Sequence, residues 1–276
     1  MIRKPAVAGQ FYPASKTHLE EEVKKYLSTG LKPKAAIGVV SPHAGYVYSG
    51  HVAGAVFSAV EVPERVIVLS PNHTGMGAHA AIMNDGEWAL PTGNIRIDSG
   101  LASDLIKECG ELQVDYKAHL MEHSLEVQLP FLQARQPNLR FVPITISHVR
   151  YEICEEIGRA IARVIKRVQS PPFEKGGTGG ILIVASSDMT HYEPHEVAKE
   201  KDARAIEHVL ALDAKGLLDV CARQRITMCG VIPAAIMLIA AKELGATKGE
   251  LIKYATSGDV SGDYGAVVGY AGLILF

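Results

Sequence analysis

Short apolar runs rich in Val and Ile recur along the chain, and each is followed within a few residues by a histidine. The runs cover residues 35–40, 66–69, 141–146 and 181–185. Runs this short and this apolar are typical of strands that are buried on both faces. The small-residue apolar segment at 265–276 is expected to be a further strand of the same sheet.

Longer amphipathic segments lie between these runs and predict helices. The predicted helices cover residues 17–27, 124–134, 151–168, 196–212 and 232–244. Thr17 is the expected N-cap of the first helix, with Glu20 three residues on, and Ser124 is a candidate cap for the second. The last helix is apolar on most faces and is therefore expected to be buried.

Alternation of such strands and helices predicts an α/β fold with a central mixed, largely parallel sheet flanked by helices in three layers. A Pro/Gly-rich stretch at about 170–180 interrupts the pattern. We expect it to be a flexible loop insertion within one domain spanning 1–276, because the strand-then-histidine pattern continues on both sides.

Charge, hydropathy and cysteine content exclude several classes of protein. The 276 residues carry 28 Lys+Arg and 30 Asp+Glu, so there is no general basic field for nucleic acid or an anionic membrane. No apolar stretch reaches the ~18 residues that span a bilayer. We expect no secretory signal, because the residues from Met1 to Pro5 do not begin a long apolar run. Four cysteines in a chain of this length do not form a disulfide framework, which predicts a reduced, cytoplasmic protein.

Histidines mark one edge of the predicted sheet. His43, His73, His148 and His191 each follow a predicted strand. In open α/β sheets, ligands bind beyond the carboxyl ends of the strands, where side chains from several strands meet. Imidazole there can bind a metal or transfer a proton, although a single histidine at a strand end is more often a hydrogen-bonded loop residue.

Cys229 directly precedes the predicted 232–244 helix, whose N-terminus would favour a thiolate. The alternative is a buried, inert cysteine, and this is the interpretation we give to the other three cysteines, Cys109, Cys154 and Cys221.

Two further segments place acidic and basic side chains close together in sequence. In 122–126, His123 and Glu126 are expected to face a common region, and helix capping explains the pattern as well as catalysis does. In 188–191, Asp188 and His191 are three residues apart, so they are expected to share a ligand or to form a hydrogen bond.

Several motifs carry a resemblance to a known family. They are PAVAGQFYP at 5–13, SPHAGY at 41–46, PNH at 71–73, EHSLE at 122–126, SSDMTHY at 186–192 and CG at 229–230. In this order and over nearly the whole chain, they resemble the Memo family.

The resemblance implies a LigB-like fold, similar to the class III extradiol ring-cleaving dioxygenases, which are non-haem iron enzymes. Carried over to this sequence, it implies His43, His73 and Cys229 as metal ligands and His191 as the acid/base. Asp188 would be a nearby carboxylate, and we add His123 as a third catalytic candidate. His148 is outside the motifs and is expected to be structural.

Cys229 replaces the carboxylate of the dioxygenase ligand set. A thiolate makes the site softer and open to oxidation, and it raises the relative affinity for copper or zinc. The expected metal is therefore Fe(II) or copper, with zinc as a further option, and ring cleavage itself is not expected.

Three functions remain open. The first is a metal-dependent oxidoreductase acting on a small-molecule or peptide substrate. The second is a non-catalytic metal- and peptide-binding scaffold in signalling. The third is a zinc hydrolase with Glu122 or Glu126 as its base. Family association also implies a radical-SAM protein as a partner, whereas charge predicts neither a nucleic-acid nor a membrane partner.

Overall fold

A computed structural model describes residues 1–168 and 180–276. Within these residues the strands are β1 (Ile2–Arg3), β2 (Gly38–Ser41), β3 (Arg65–Pro71), β4 (Ala80–Ile82), β5 (Glu87–Leu90), β6 (Gly93–Ile97), β7 (Gln113–Val114), β8 (Arg140–Ile146), β9 (Ile181–Ser186), β10 (His191–Glu193), β11 (Gly249–Thr256) and β12 (Val267–Leu275). The predicted loop insertion at about 170–180 lies outside the described residues, apart from Gly180.

The helices surround this sheet. In the same described ranges they are α1 (Lys16–Leu27), α2 (Tyr46–Ala59), α3 (Ser99–Glu108), α4 (Lys117–Leu120), α5 (Leu129–Arg135), α6 (Tyr151–Val168), α7 (His195–Leu210), α8 (Ala214–Gln224), α9 (Val231–Glu243) and α10 (Gly258–Ser261), with a 3₁₀ turn at Glu126–Gln128 before α5. No helix in the described part of the chain combines the length and apolar character needed to cross a bilayer.

The sheet is mixed and has a parallel centre. Its order is β1-β5-β6-β8-β3-β9-β2-β12-β10, and the five strands from β6 to β2 in this order run parallel to one another. β12 pairs antiparallel with β2, while β4 and β11 pair with β8 and β12. The predicted α/β fold with a mixed, largely parallel sheet is confirmed, and the carboxyl ends of β2, β3 and β9 share one edge.

Side chains of the central strands alternate between two apolar layers. Ile67 and Leu69 of β3 belong to the core that contains α6 and α9. Val66 and Val68 belong to the opposite core, formed with α1, α2 and α5. Because both faces are covered, these strands consist almost entirely of apolar residues, which is why they appear in the sequence as unbroken runs.

The structure corrects the predicted caps of two helices. Thr17 lies inside the first turn of α1, because extended backbone at Ser15 starts the helix earlier and the Ser15 carbonyl accepts from Leu19 N–H. The predicted helix at 124–134 is divided into the 3₁₀ turn and α5. Ser124 does not cap it, since its hydroxyl donates to the Glu122 carboxylate.

Candidate metal centre

His43, His73 and Cys229 meet at the carboxyl edge of the parallel strands. His43 follows β2, His73 follows β3, and Cys229 precedes the first turn of α9. One ligand atom from each lies within 4.8 Å of the others, so the group could hold a metal ion. His43 Nε2 and Cys229 Sγ are 3.2 Å apart. The structure thus brings together the three residues that the resemblance implied as ligands, and their binding of a metal stays a prediction.

A close approach between α9 and β9 places the Cys229 thiol. A Cβ atom at Gly230 would lie 2.2 Å from the Ser186 carbonyl oxygen, so only glycine allows the helix to begin this near the strand. The Asp188 N–H donates to Cys229 Sγ at 3.2 Å. Burial nevertheless raises the pKa of the Cys229 thiol, and the Asp188 charge adds to the rise. Burial therefore opposes the thiolate form of Cys229 that the helix N-terminus was expected to favour.

Glu122 fixes the orientation of His73. Its Oε1 accepts from His73 Nδ1 at 2.9 Å and from the Ser124 backbone and hydroxyl, and its Oε2 accepts from His73 N–H at 2.6 Å. Burial acts to raise the pKa of Glu122, but the hydrogen bonds from His73 and Ser124 lower it to about 2. Because an ionised carboxylate only accepts, His73 carries its hydrogen on Nδ1 and leaves the Nε2 lone pair free.

His123 lies beside both metal-candidate histidines. Its ring stacks on His73 with centroids 4.7 Å apart, and it lies 5.6 Å from the ring of His43 and 4.8 Å from that of Phe11. Burial lowers the pKa of His123. His123 also forms a second cluster with His73 and Glu122, but this cluster shares His73, and the Glu122 oxygens are already occupied by other donors.

Asp188 and His191 flank the cluster but are bonded to different partners. Asp188 is buried, accepts from His43 N–H at 2.7 Å, and has a pKa raised by burial to about 6. His191 Nδ1 donates to the Thr227 carbonyl at 3.0 Å, and its N–H donates to the Thr227 hydroxyl. Asp188 and His191 therefore do not form the hydrogen bond that was one of the two expected arrangements, because each is bonded to backbone or hydroxyl groups of other residues, and a shared ligand stays a prediction.

Backbone strain occurs next to His191. Tyr192 has a φ of 61°, in the left-handed region, and the residue is 79% exposed. A bulky residue held in this conformation costs about 1–3 kcal/mol, and such strain is concentrated at functional sites. Leu212 and Arg225 have φ values of 55° and 54° as well, so this strain does not by itself distinguish the turn at Tyr192.

Other candidates lie away from the cluster. The Glu126 carboxylate is bonded to other groups and not to His123, because Arg3, the backbone of Ala6 and Val7, and the Tyr12 hydroxyl all donate to it.

His148 is exposed and lines a surface groove with His79 and Arg150. Among the cysteines interpreted as inert, Cys109, Cys154 and Cys221 are buried, and burial raises the pKa of Cys154 to about 11 and of Cys221 to about 12.

Residues that hold the imidazoles were missed by the sequence reasoning. Glu122 was considered only as a hydrolytic base, and Ser186 and Gln128 were given no role. Ser186 ends β9 at the same edge as the histidines, and this position was the available signal.

Comparison with known proteins places these residues in a wider context. A sequence profile described as Memo-like protein matches residues 3–274. A MEMO1 family protein of Methanopyrus kandleri is 43% identical over 288 residues, covering 99% of this chain and 99% of that protein. One from Aquifex aeolicus is 42% identical, covering 99% and 98%. The crystal structure of an uncharacterized Escherichia coli K12 protein matches with a TM-score of 0.55 at 14% identity, covering 86% of this chain and 98% of that one, which is a likeness of fold alone.

Proposed function

The chain belongs to the Memo family, and from that premise we propose that it is a metal-binding protein whose ligands are His43, His73 and Cys229. The observation that carries the proposal is the convergence of their ligand atoms within 4.8 Å. Metal–ligand distances of ~2.0–2.3 Å then require only small rotamer adjustments. Two imidazoles and one thiolate suit iron, copper or zinc. We take Fe(II) or copper as the resident metal and zinc as a competitor.

The proposed activity is that of an oxidoreductase acting on a small molecule or peptide. Iron or copper would supply one-electron chemistry at a position left open by the three protein ligands. His191 is suited to proton transfer because the Thr227 carbonyl holds the hydrogen on Nδ1 and leaves Nε2 able to accept one. His123 offers a second imidazole beside the ligands, and Asp188 anchors the backbone of His43.

The bonding of the two glutamates favours this activity over hydrolysis. The zinc hydrolase considered above needs Glu122 or Glu126 to be free to take a proton from water. Glu126 is buried in an ion pair with Arg3 and accepts further hydrogen bonds, while Glu122 is saturated by His73 and Ser124. Neither carboxylate is available as a base.

Metal analysis of protein purified anaerobically tests the proposal. We expect about one metal ion per chain in the wild type, loss of the metal in His43→Ala, and retention in the matched control His148→Ala. The iron or copper form should consume O₂ with a suitable reductant, and the zinc form should not. Wild-type protein without metal would contradict the metal site. Peptide affinity that survives metal removal, with no turnover, would contradict the oxidoreductase and support a scaffold.

A further inference from the structure

The Ser186 hydroxyl lies between three polar groups behind the candidate metal ligands. It contacts the Ser124 carbonyl oxygen at 2.6 Å, Gln128 Nε2 at 2.8 Å and His43 Nδ1 at 2.9 Å. All four residues are buried, with His43 the most exposed at 2%. Hydrogen bonds in this region therefore have no competition from bulk water.

The three contacts fix the direction of every hydrogen bond. A hydroxyl has one hydrogen and two acceptor lone pairs. The Ser124 carbonyl can only accept, so it receives the Ser186 hydrogen. Gln128 Nε2 also faces the carbonyl oxygens of Ser41 and Pro42, at 3.3 and 2.9 Å, which identifies it as the amide nitrogen and hence as a donor to Ser186.

The remaining bond then has one solution. Since Ser186 has no second hydrogen, His43 Nδ1 must donate to it, and the imidazole keeps its lone pair on Nε2. This is the atom that lies 3.2 Å from Cys229 Sγ. We infer that Ser186, held by Gln128 and Ser124, is a positioning residue that selects the metal-binding tautomer of His43. That the tautomer serves metal binding rests on the proposed function, whereas the hydrogen bonds that select it do not.

The opposite tautomer is disfavoured for a simple reason. It would set the Nδ1 lone pair of His43 against the oxygen lone pairs of Ser186 and leave buried acceptors unsatisfied. The same network reaches the second histidine, because the Ser124 N–H and hydroxyl donate to Glu122, which in turn accepts from His73 Nδ1. Ser124 thus joins the groups that orient His43 and His73.

Long-range ¹H–¹⁵N correlation NMR of metal-free, ¹⁵N-labelled protein tests the inference. We expect His43 and His73 to be Nδ1–H tautomers in the wild type. Ser186→Ala should convert His43 to a mixture of tautomers, leave His73 unchanged, and weaken cobalt(II) binding roughly 10- to 100-fold. Ser186→Thr, which keeps the hydroxyl, should restore the tautomer. The matched control is Ser70→Ala, which removes a buried hydroxyl of β3 that is bonded to Thr145 and not to a ligand.

The outcomes separate this inference from the proposed function. An Nε2–H tautomer of His43 in the wild type would overturn the inference even if no variant folds. So would Ser186→Ala protein with unchanged tautomer and unchanged cobalt affinity. An Nδ1–H tautomer that becomes a mixture in Ser186→Ala, in protein that binds no metal, would uphold the positioning role of Ser186 and contradict only the metal site.

Discussion

The Nε2 atom of His43 lies 3.2 Å from the Sγ atom of Cys229, although 186 positions separate the two residues in sequence. The contact joins the end of β2 to the start of α9. It exists because β9 lies beside β2 and Gly230 lets the helix approach the end of β9. The candidate metal site is therefore a product of the assembled sheet and not of any single segment.

Replacing the thiol should weaken metal binding without unfolding the protein. We expect Cys229→Ser to lower the affinity for cobalt(II) by ~100-fold or more, since loss of a direct ligand should exceed the effect of losing its supporting hydrogen bond. The thiolate-to-cobalt charge-transfer band should also disappear. Competitive titration against a chelator measures the affinity, and Cys109→Ala, a buried cysteine away from the cluster, is the control. Equal affinity in Cys229→Ser and wild type would remove Cys229 from the ligand set.

His191 and His43 should respond differently to the same substitution. His191→Ala should retain the metal and reduce metal-dependent turnover by about 10²–10⁴-fold, the range typical of losing a general acid/base. His43→Ala should lose the metal first. Metal content and turnover of the two variants, measured side by side, decide the assignment. Equal metal loss would make His191 a ligand, and lower thermal stability with unchanged turnover would make it a structural residue of its loop.

The sequence was sufficient to locate the candidate site but not to predict the residues that form hydrogen bonds to it. Buried parallel strands appear as apolar runs and their carboxyl ends share an edge, which marked His43, His73, His148 and His191 as candidates. Cys229 was a candidate because an apolar helix follows it. The family resemblance then selected His43, His73 and Cys229 as the ligands. Partners across the fold were not predictable, since they depend on side chains brought together only by packing. Their spacing in the sequence thus suggested a hydrogen bond between Asp188 and His191, whereas in the folded chain His191 donates to the Thr227 carbonyl oxygen.

The same limit applies at Glu126. Its spacing from His123 pointed to a shared region, but the N-terminal segment, with Arg3 and Tyr12, folds against Glu126 instead. The motif at 5–13 therefore packs against Glu126 as part of the buried structure. Of its residues named above, Phe11 is the one that contacts the candidate site, through the ring of His123.

Removing one partner of the buried ion pair between Arg3 and Glu126 should be strongly destabilising. Both side chains are fully buried, so Arg3→Leu leaves an uncompensated carboxylate and should cost about 3–5 kcal/mol in the free energy of unfolding. Arg96→Leu breaks the ion pair with Glu87, in which the Arg96 side chain is 78% exposed, and should have little effect. Urea unfolding of both variants provides the measurement. Similar losses in the two would contradict a special role for the buried pair.

His119 should make the protein sensitive to acid. Burial, with the nearby Arg3 charge, lowers the pKa of His119 from 6.5 to about 3 in the folded protein. As the pH falls, the unfolded chain therefore binds a proton at His119 before the folded protein does. The contribution of His119 to the free energy of unfolding is complete above pH 6.5 and is lost as the pH falls toward 3. Between pH 6.5 and 5, the contribution should fall by about 2 kcal/mol.

Comparison with His119→Gln isolates this effect. The variant cannot titrate at this position, so its free energy of unfolding should fall less steeply between pH 6.5 and 5 than that of the wild type. The slope is the measured quantity, which separates titration from any constant cost of the substitution. Parallel slopes would show that His119 is not responsible.

X-ray absorption spectroscopy of the anaerobically metal-loaded protein tests the central claim most directly. If His43, His73 and Cys229 bind one ion, the spectrum should contain one sulfur scatterer at ~2.3 Å and nitrogen scatterers at ~2.0–2.1 Å with the outer-shell pattern of imidazole. The sulfur contribution should vanish in Cys229→Ser. A bound metal with only oxygen and nitrogen neighbours in the wild type would contradict the claim.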